Sequence, residues 1–210
     1  MAAEQFQVRR ATTEHQTTVT ALIDDAADWL RRDKDTSQWN RPWPSHEGRR
    51  KRIWGGLIDG HTWIVWDGVK PAASVTIEMT GNPHLWTADE RETPAVYLHR
   101  LVVGRNYTGI GLGAELLNWA GKRGHSEDAT VQQIRIDVWT DNDDLHRYYQ
   151  AQGFTFVDDR ETPDRCPSGS LFQKPITEAL QAEAARLVTE PAAPQSRALV
   201  VMAPRILATA

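Results

Sequence analysis

The chain has 210 residues, 40% of them hydrophobic and 25% charged, the balance of one globular domain or of one domain with an extension. A net charge of −4 argues against nucleic acid as an electrostatic partner, and the single cysteine, Cys166, excludes an internal disulfide and a cysteine-based zinc site. No apolar run reaches membrane-spanning length and the first ten residues lack the apolar centre of a signal peptide, so a cytoplasmic protein without a membrane partner or a metal is expected.

Phe6 to Ala11 alternates apolar and charged residues and reads as a short strand. Thr12–Thr13–Glu14 offers a helix start, and Val19, Leu22, Ile23, Ala26, Ala27, Trp29 and Leu30 recur at helical spacing up to about Arg32. Asp33 to Ser45 is a polar loop with Pro42 and Pro44, whose Trp39 and Trp43 either wall a pocket or cover the core edge. Ser45 caps a second helix. Its first turns carry Arg49, Arg50, Lys51 and Arg52, read as a solvated face, and Ile53, Trp54, Leu57 and Ile58 supply its buried side before Gly60 ends it. Strands follow over His61–Trp66 and Ala72–Met79, with Asp67–Gly68 as a hairpin signal. Gly81 to Thr93 reads as a surface loop.

The next stretch organises the chain. Tyr97 to Val103 has the composition of a buried strand, and Ala114 to Lys122 reads as a helix with Leu116, Leu117 and Ala120 on one face. Between them, Thr108 to Gly113 carries glycine at 109, 111 and 113. A helix N-terminus leaves N–H groups unpaired at the positive end of its dipole, and glycines let a phosphate approach the backbone. This unit reads as a pyrophosphate cradle.

Gln133 to Thr140 then reads as a strand, Asn142 to Gln152 as a helix closed by Gly153, and Phe154 to Val157 as a strand. Asp158 to Gly169 is a polar loop before a last strand at Ser170 to Gln173. Glu178 to Thr189 looks helical, Pro191 to Ser196 breaks the chain, and the apolar run Ala198 to Ala210 either packs on the domain, meets a second copy in a homodimer, or is disordered. The order implies an α/β or α+β mixed sheet with helices on both faces. It divides into a domain over 1–176 and an extension over 177–210.

Two ligands fit a glycine loop. A dinucleotide wants G-x-G-x-x-G near the start of a βαβ unit and an acidic residue ending the next strand. Here the spacing is G-x-G-x-G, position 114 is Ala, and Asp137 lies inside its strand, all of which count against a dinucleotide; the other candidate is the pyrophosphate of coenzyme A, which the glycines alone do not name. The chain resembles the GNAT (Gcn5-related) N-acetyltransferases. The resemblance rests on Leu101-Val102-Val103, on Thr108-Gly-Ile-Gly-Leu-Gly113 followed by Ala114-Glu-Leu-Leu117, and on Asn142 with Tyr149-Gln-Ala-Gln-Gly-Phe154. Thr108 stands where the family has Gln or Arg.

The resemblance implies an acyl-CoA N-acyltransferase fold with a splayed central sheet. It implies acetyl-CoA as donor, a small-molecule amine as acceptor and direct acetyl transfer. Leu101 and Val103 then pair with the pantetheine arm, the amides from Thr108 through Gly109 and Gly111 to Gly113 hold the pyrophosphate, and Asn142 lies near the arm. Tyr149 matches the family's general acid, and Tyr148 beside it points elsewhere. Strand alternation puts Tyr97, His99, Leu101 and Val103 on one face, which makes His99 the candidate base, directly or through water, with Glu78 as the fallback. Asp24, Asp25, Asp28, Asp33 and Asp35 either attract a cationic amine or form a solvated helix face. A non-catalytic acyl-CoA sensor and a nicotinamide-binding enzyme are the competing readings.

Overall fold

The computed structural model describes residues 5–183 and 186–190; the expected break at 191–196 and the apolar run at 198–210 lie outside them. Runs rich in β-branched and aromatic residues form the strands. These are β1 (Phe6–Arg10), β2 (Thr62–Asp67), β3 (Lys70–Glu78), β4 (Ala95–Val103), β5 (Gln133–Val138), β6 (Thr155–Asp159), β7 (Ser170–Pro175) and β8 (Leu187–Thr189). Among the described residues they make one sheet in the order β6-β7-β5-β4-β3-β2-β1-β8. The β4–β5 and β1–β8 pairs are parallel and the others antiparallel.

Helices cover both faces, as the sequence implied. On one side α1 (Gln16–Asp33) and α2 (His46–Ile58) bury Val19, Leu22, Ile23, Ile53 and Leu57 against Ile64 and Val102. Ser45 caps α2 by accepting from the Gly48 N–H at 3.0 Å. Trp54 and Ile58, expected to be buried, are exposed, because Ile53 and Leu57 form the centre of the apolar stripe and their neighbours fall on its rim. The segment 81–93 is more than a surface loop. It folds into α3 (Ala88–Glu92), capped by Thr87, and it buries Leu85 and Trp86 against Tyr97.

On the opposite face lie α4 (Leu112–Glu127), α5 (Asp143–Ala151) and α6 (Ile176–Gln181), around Leu116, Leu117, Ile134, Ile136, Phe172 and Ile176. The helix expected over 178–189 stops at Gln181, and Leu187–Thr189 pairs in parallel with Phe6–Val8 instead. Helical propensity loses there to the open edge of β1, whose Phe6 N–H donates to the Arg186 carbonyl at 2.8 Å.

Two features of β4 shape the molecule. Against β3, Thr76 faces His99 and Ser74 faces Val102, so β4 carries one extra residue, and Arg100 takes φ 50 within that bulge. The bulge inverts the alternation. Tyr97 and His99 share a face with Arg135 and Asp137, whereas Leu101 and Val103 pack toward α4. The single face expected for 97, 99, 101 and 103 is therefore split after His99. Against β5, pairing runs from Ala95↔Gln133 to Leu98↔Ile136 and stops, although β4 continues to Val103 and β5 to Val138.

The close approach of α4 to β4 depends on Gly124, where a Cβ would lie 2.8 Å from the Val96 Cβ. Gly124→Val is expected to lower stability by about 1–3 kcal/mol through overpacking, read as a shift in the denaturant midpoint at unchanged slope.

Candidate active site

A cavity of about 780 Å³ opens where β4 and β5 part. Leu101, Val103, Thr108, Gly109, Gly111, Gly113, His99, Asn142 and Tyr149 all line it, so residues spread over half a hundred positions of sequence meet around one space. The edge of β4 beyond Leu98 has no β5 partner. Backbone N–H and C=O groups require partners, and such an edge suits an extended ligand.

At one end sits the glycine loop. Gly109 and Gly111 adopt φ 80 and φ 83, a region costly for residues with a Cβ, and Gly109, Ile110 and Gly111 are exposed. The first α4 bond runs from the Glu115 N–H to the Gly111 carbonyl at 3.2 Å, leaving the amides of Leu112, Gly113 and Ala114 ahead of the helical ladder. Thr108 turns its hydroxyl to the Arg105 carbonyl at 2.9 Å. Arg186 braces the loop from just before β8, donating to the Ile110 carbonyl at 2.7 Å and to Glu115 at 2.8 Å.

The middle is formed by α5. Asn142 is buried; its Oδ1 accepts from the Leu145 N–H at 3.0 Å as the helix cap, and its Nδ2 donates to Gln38. Tyr149 is buried between the rings of Tyr148 and Phe154, and burial pushes its phenol well above the ordinary value. Tyr148 does not point elsewhere. It lines the same cavity, and a Cβ on Gly113 would lie 2.7 Å from its hydroxyl.

At the other end is a cluster of charges. His99 Nδ1 lies 3.4 Å from Asp137 Oδ1, and His99 Nε2 lies 3.8 Å from Glu78 Oε2. Arg100 reaches Glu78 at 3.9 Å and donates from Nε to Thr76 at 3.4 Å. Loss of water pushes His99 down, against the opposing pull of Glu78, and lifts Asp137 to about 7. The imidazole is thus neutral at neutral pH, beside a carboxyl that titrates there.

Sequence reasoning missed several groups. The sequence sets Asp137 only against the acidic position of a dinucleotide site, although its alternation within β5 places it on the face of His99. Arg49 and Arg52 were read as part of a solvated face, yet both line the cavity while Arg50 and Lys51 stay on the outer surface. The five aspartates of the first helix and its loop are absent from the wall. Asp24 pairs with Arg49 at 2.7 Å, Asp25 accepts from the Arg105 N–H at 3.1 Å and Asp28 pairs with Arg31 at 3.0 Å. Trp39 and Trp43 do wall the cavity.

The sequence profile described as "Acetyltransferase (GNAT) family" matches residues 20–154. The chain belongs to the GNAT acetyltransferase family. An "uncharacterized N-acetyltransferase YesJ" from Bacillus subtilis (strain 168) is 32% identical over 179 residues, spanning 83% of this chain and 93% of its own. A GNAT-family acetyltransferase structure from Listeria monocytogenes 4b F2365 superposes with a TM-score of 0.65 at 26% identity, covering 83% of this chain and 98% of that one. The PaiA N-acetyltransferase of Thermoplasma acidophilum, solved in complex with coenzyme A, shares the fold with a TM-score of 0.61 at 14% identity, over 81% of this GNAT chain and 99% of its own.

The left-handed backbone at Gly111 gives a direct check on the cradle. Gly111→Val forces a β-branched residue to φ 83 in an exposed loop, with strain of about 1–2 kcal/mol. Calorimetry with coenzyme A is expected to show affinity weakened roughly tenfold, with little change in melting temperature.

Proposed function

We propose that the protein is an acetyl-CoA-dependent N-acetyltransferase that moves the acetyl group directly to a primary amine of a small molecule. The observation that carries this reading is the single cavity in which a glycine-lined helix N-terminus, an unpaired strand edge and the His99–Asp137 pair follow one another. Family membership and the coenzyme A bound in the PaiA structure support the same donor.

The residues present fit the donor. Gly109, Gly111 and Gly113 leave the loop amides open to a diphosphate, and the free edge of Leu101 to Val103 suits the amide groups of the pantetheine arm. Acetyl-CoA supplies an activated acyl carbon on a thiolate leaving group. An ammonium has no lone pair, so the acceptor must lose a proton before attack. His99 and Asp137 take that proton as a unit, the neutral imidazole relaying it to a carboxylate poised near 7. The amine nitrogen then bonds to the acyl carbon as the carbon–sulfur bond breaks, and it gives up a second proton to solvent to leave the neutral amide. Tyr149, kept protonated by burial, gives its proton to the departing sulfur and regains one from solvent. The balance is one amide and one thiol, with the amine's proton released.

Incubation with acetyl-CoA and an amine panel is expected to release free thiol. Tyr149→Phe is expected to lower kcat by about 10²–10⁴-fold, with coenzyme A binding unchanged. Equal rates for the two proteins would remove Tyr149 from the chemistry. A non-catalytic acyl-CoA sensor would bind the donor and release no thiol with any amine of the panel.

The pH dependence follows from Asp137. The base works only when deprotonated, so kcat/KM is expected to fall as pH drops through about 7 and to flatten above it. Asp137→Asn is expected to abolish that limb in a pH–rate profile. A limb that survives the substitution would assign it to another group.

A further inference from the structure

The charge cluster at this end of the cavity has a cation that forms no ion pair among the described residues. Arg52 of α2 opens onto the cavity. Its guanidinium stacks on the Trp43 ring at 4.5 Å and donates from Nη2 to the Trp43 carbonyl. Neither partner neutralises it. Cys166, Asp164 and Asp137 act on its charge without forming an ion pair, whereas Arg49 holds Asp24 at 2.7 Å and Arg100 holds Glu78 at 3.9 Å; the other cavity arginine, Arg105, lies over the Trp29 ring at 3.9 Å, away from this cluster. Crowding by protein pushes Arg52 down from its ordinary value although the residue keeps exposed surface, and no carboxylate among the described residues closes on its head group. Trp43 thus holds the guanidinium through its ring and its carbonyl, and a planar fork is suited to bidentate binding of a carboxylate.

The opposite pole stands across the same space. Asp137 and His99 sit where β4 and β5 part, and Arg52 is near enough to act on the charge of both. A site with a guanidinium at one side and a carboxyl at the other complements a zwitterion. It disfavours a polyamine, whose second ammonium would meet Arg52 and Arg100 with like charge.

Resting on the acetyltransferase reading above, we propose that the acyl acceptor is a free amino acid, its carboxylate held by Arg52 and its amino group turned to Asp137 and His99. Trp39 and Trp43 then wall the space left for the side chain. Arg52 is a substrate-binding residue in this arrangement and takes no part in proton transfer.

The test pairs each amino acid with the amine left by its decarboxylation: L-phenylalanine with phenethylamine, L-lysine with cadaverine, and so through the protein amino acids. Thiol release from acetyl-CoA is the readout. Members with a carboxylate are expected to be acetylated with the higher kcat/KM. Arg52→Gln is expected to raise their KM by roughly tenfold or more, the effect of losing a hydrogen bond to a charged group, while leaving the decarboxylated partners nearly unmoved. A merely structural Arg52 would shift both members of each pair alike. Arg52→Lys, which keeps the charge and loses the fork, is expected to recover part of the KM.

Faster turnover of the decarboxylated amines, with coenzyme A bound, overturns the amino-acid assignment and leaves the acetyltransferase reading standing. If the donor binds but nothing turns over, calorimetry of the amino acids against the coenzyme A complex decides, and no binding overturns the assignment. Failure to bind acetyl-CoA at all brings down the reading beneath it as well.

Discussion

Everything in this molecule depends on two parallel strands that begin as partners and then separate. β4 and β5 share four register positions, Ala95 to Leu98 against Gln133 to Ile136, and then run on unpaired. Buried backbone amides and carbonyls without partners are costly, so a fold that leaves a strand edge open in its centre must fill it some other way. The bulge at Arg100 accompanies the separation. It lets β4 stay paired with β3 while its remaining half turns over, so that one strand serves both faces of the sheet.

That inversion explains how one strand lends side chains to both ends of the cavity. Before the bulge, His99 faces the helical layer of α1 and α2, where Asp137, Arg52 and Arg100 gather. After it, Leu101 and Val103 face the layer of α4, whose N-terminus carries the glycine loop. The two ends of the cavity are thus built from opposite layers and joined through the gap between strands. Loss of water lowers His99 and raises the Asp137 carboxyl to about 7.

Much of this was legible in the residues. The mixed sheet with helices on both faces followed from the order of periodic segments, and the glycines at 109, 111 and 113 marked the loop. What stayed hidden has a physical reason in each case. A bulge leaves no signature in His99-Arg100-Leu101, because the left-handed φ at Arg100 is imposed by strand pairing and not by a glycine. Arg49 and Arg52 differ from Arg50 and Lys51 only in helical phase, and phase relative to a cavity requires knowing where the cavity is. Leu187 to Thr189 lies in a helix-favouring stretch, and only the open edge of β1 makes it a strand. Tyr148 and Tyr149 are adjacent on α5, 100° apart around its axis, which reads as one inside and one outside. The cavity is wide enough to touch both.

The contact between Arg186 and the glycine loop reaches further than its two hydrogen bonds. Arg186 immediately precedes β8, which lies at the far margin of the sheet beside β1, yet its guanidinium grips the Ile110 carbonyl and Glu115. β8 therefore works as a buckle, with the order of the loop fastened from a segment more than seventy residues further along the chain. A polypeptide cut after Gln181 would keep every cavity residue named above and still lose the clasp that holds its glycines in register.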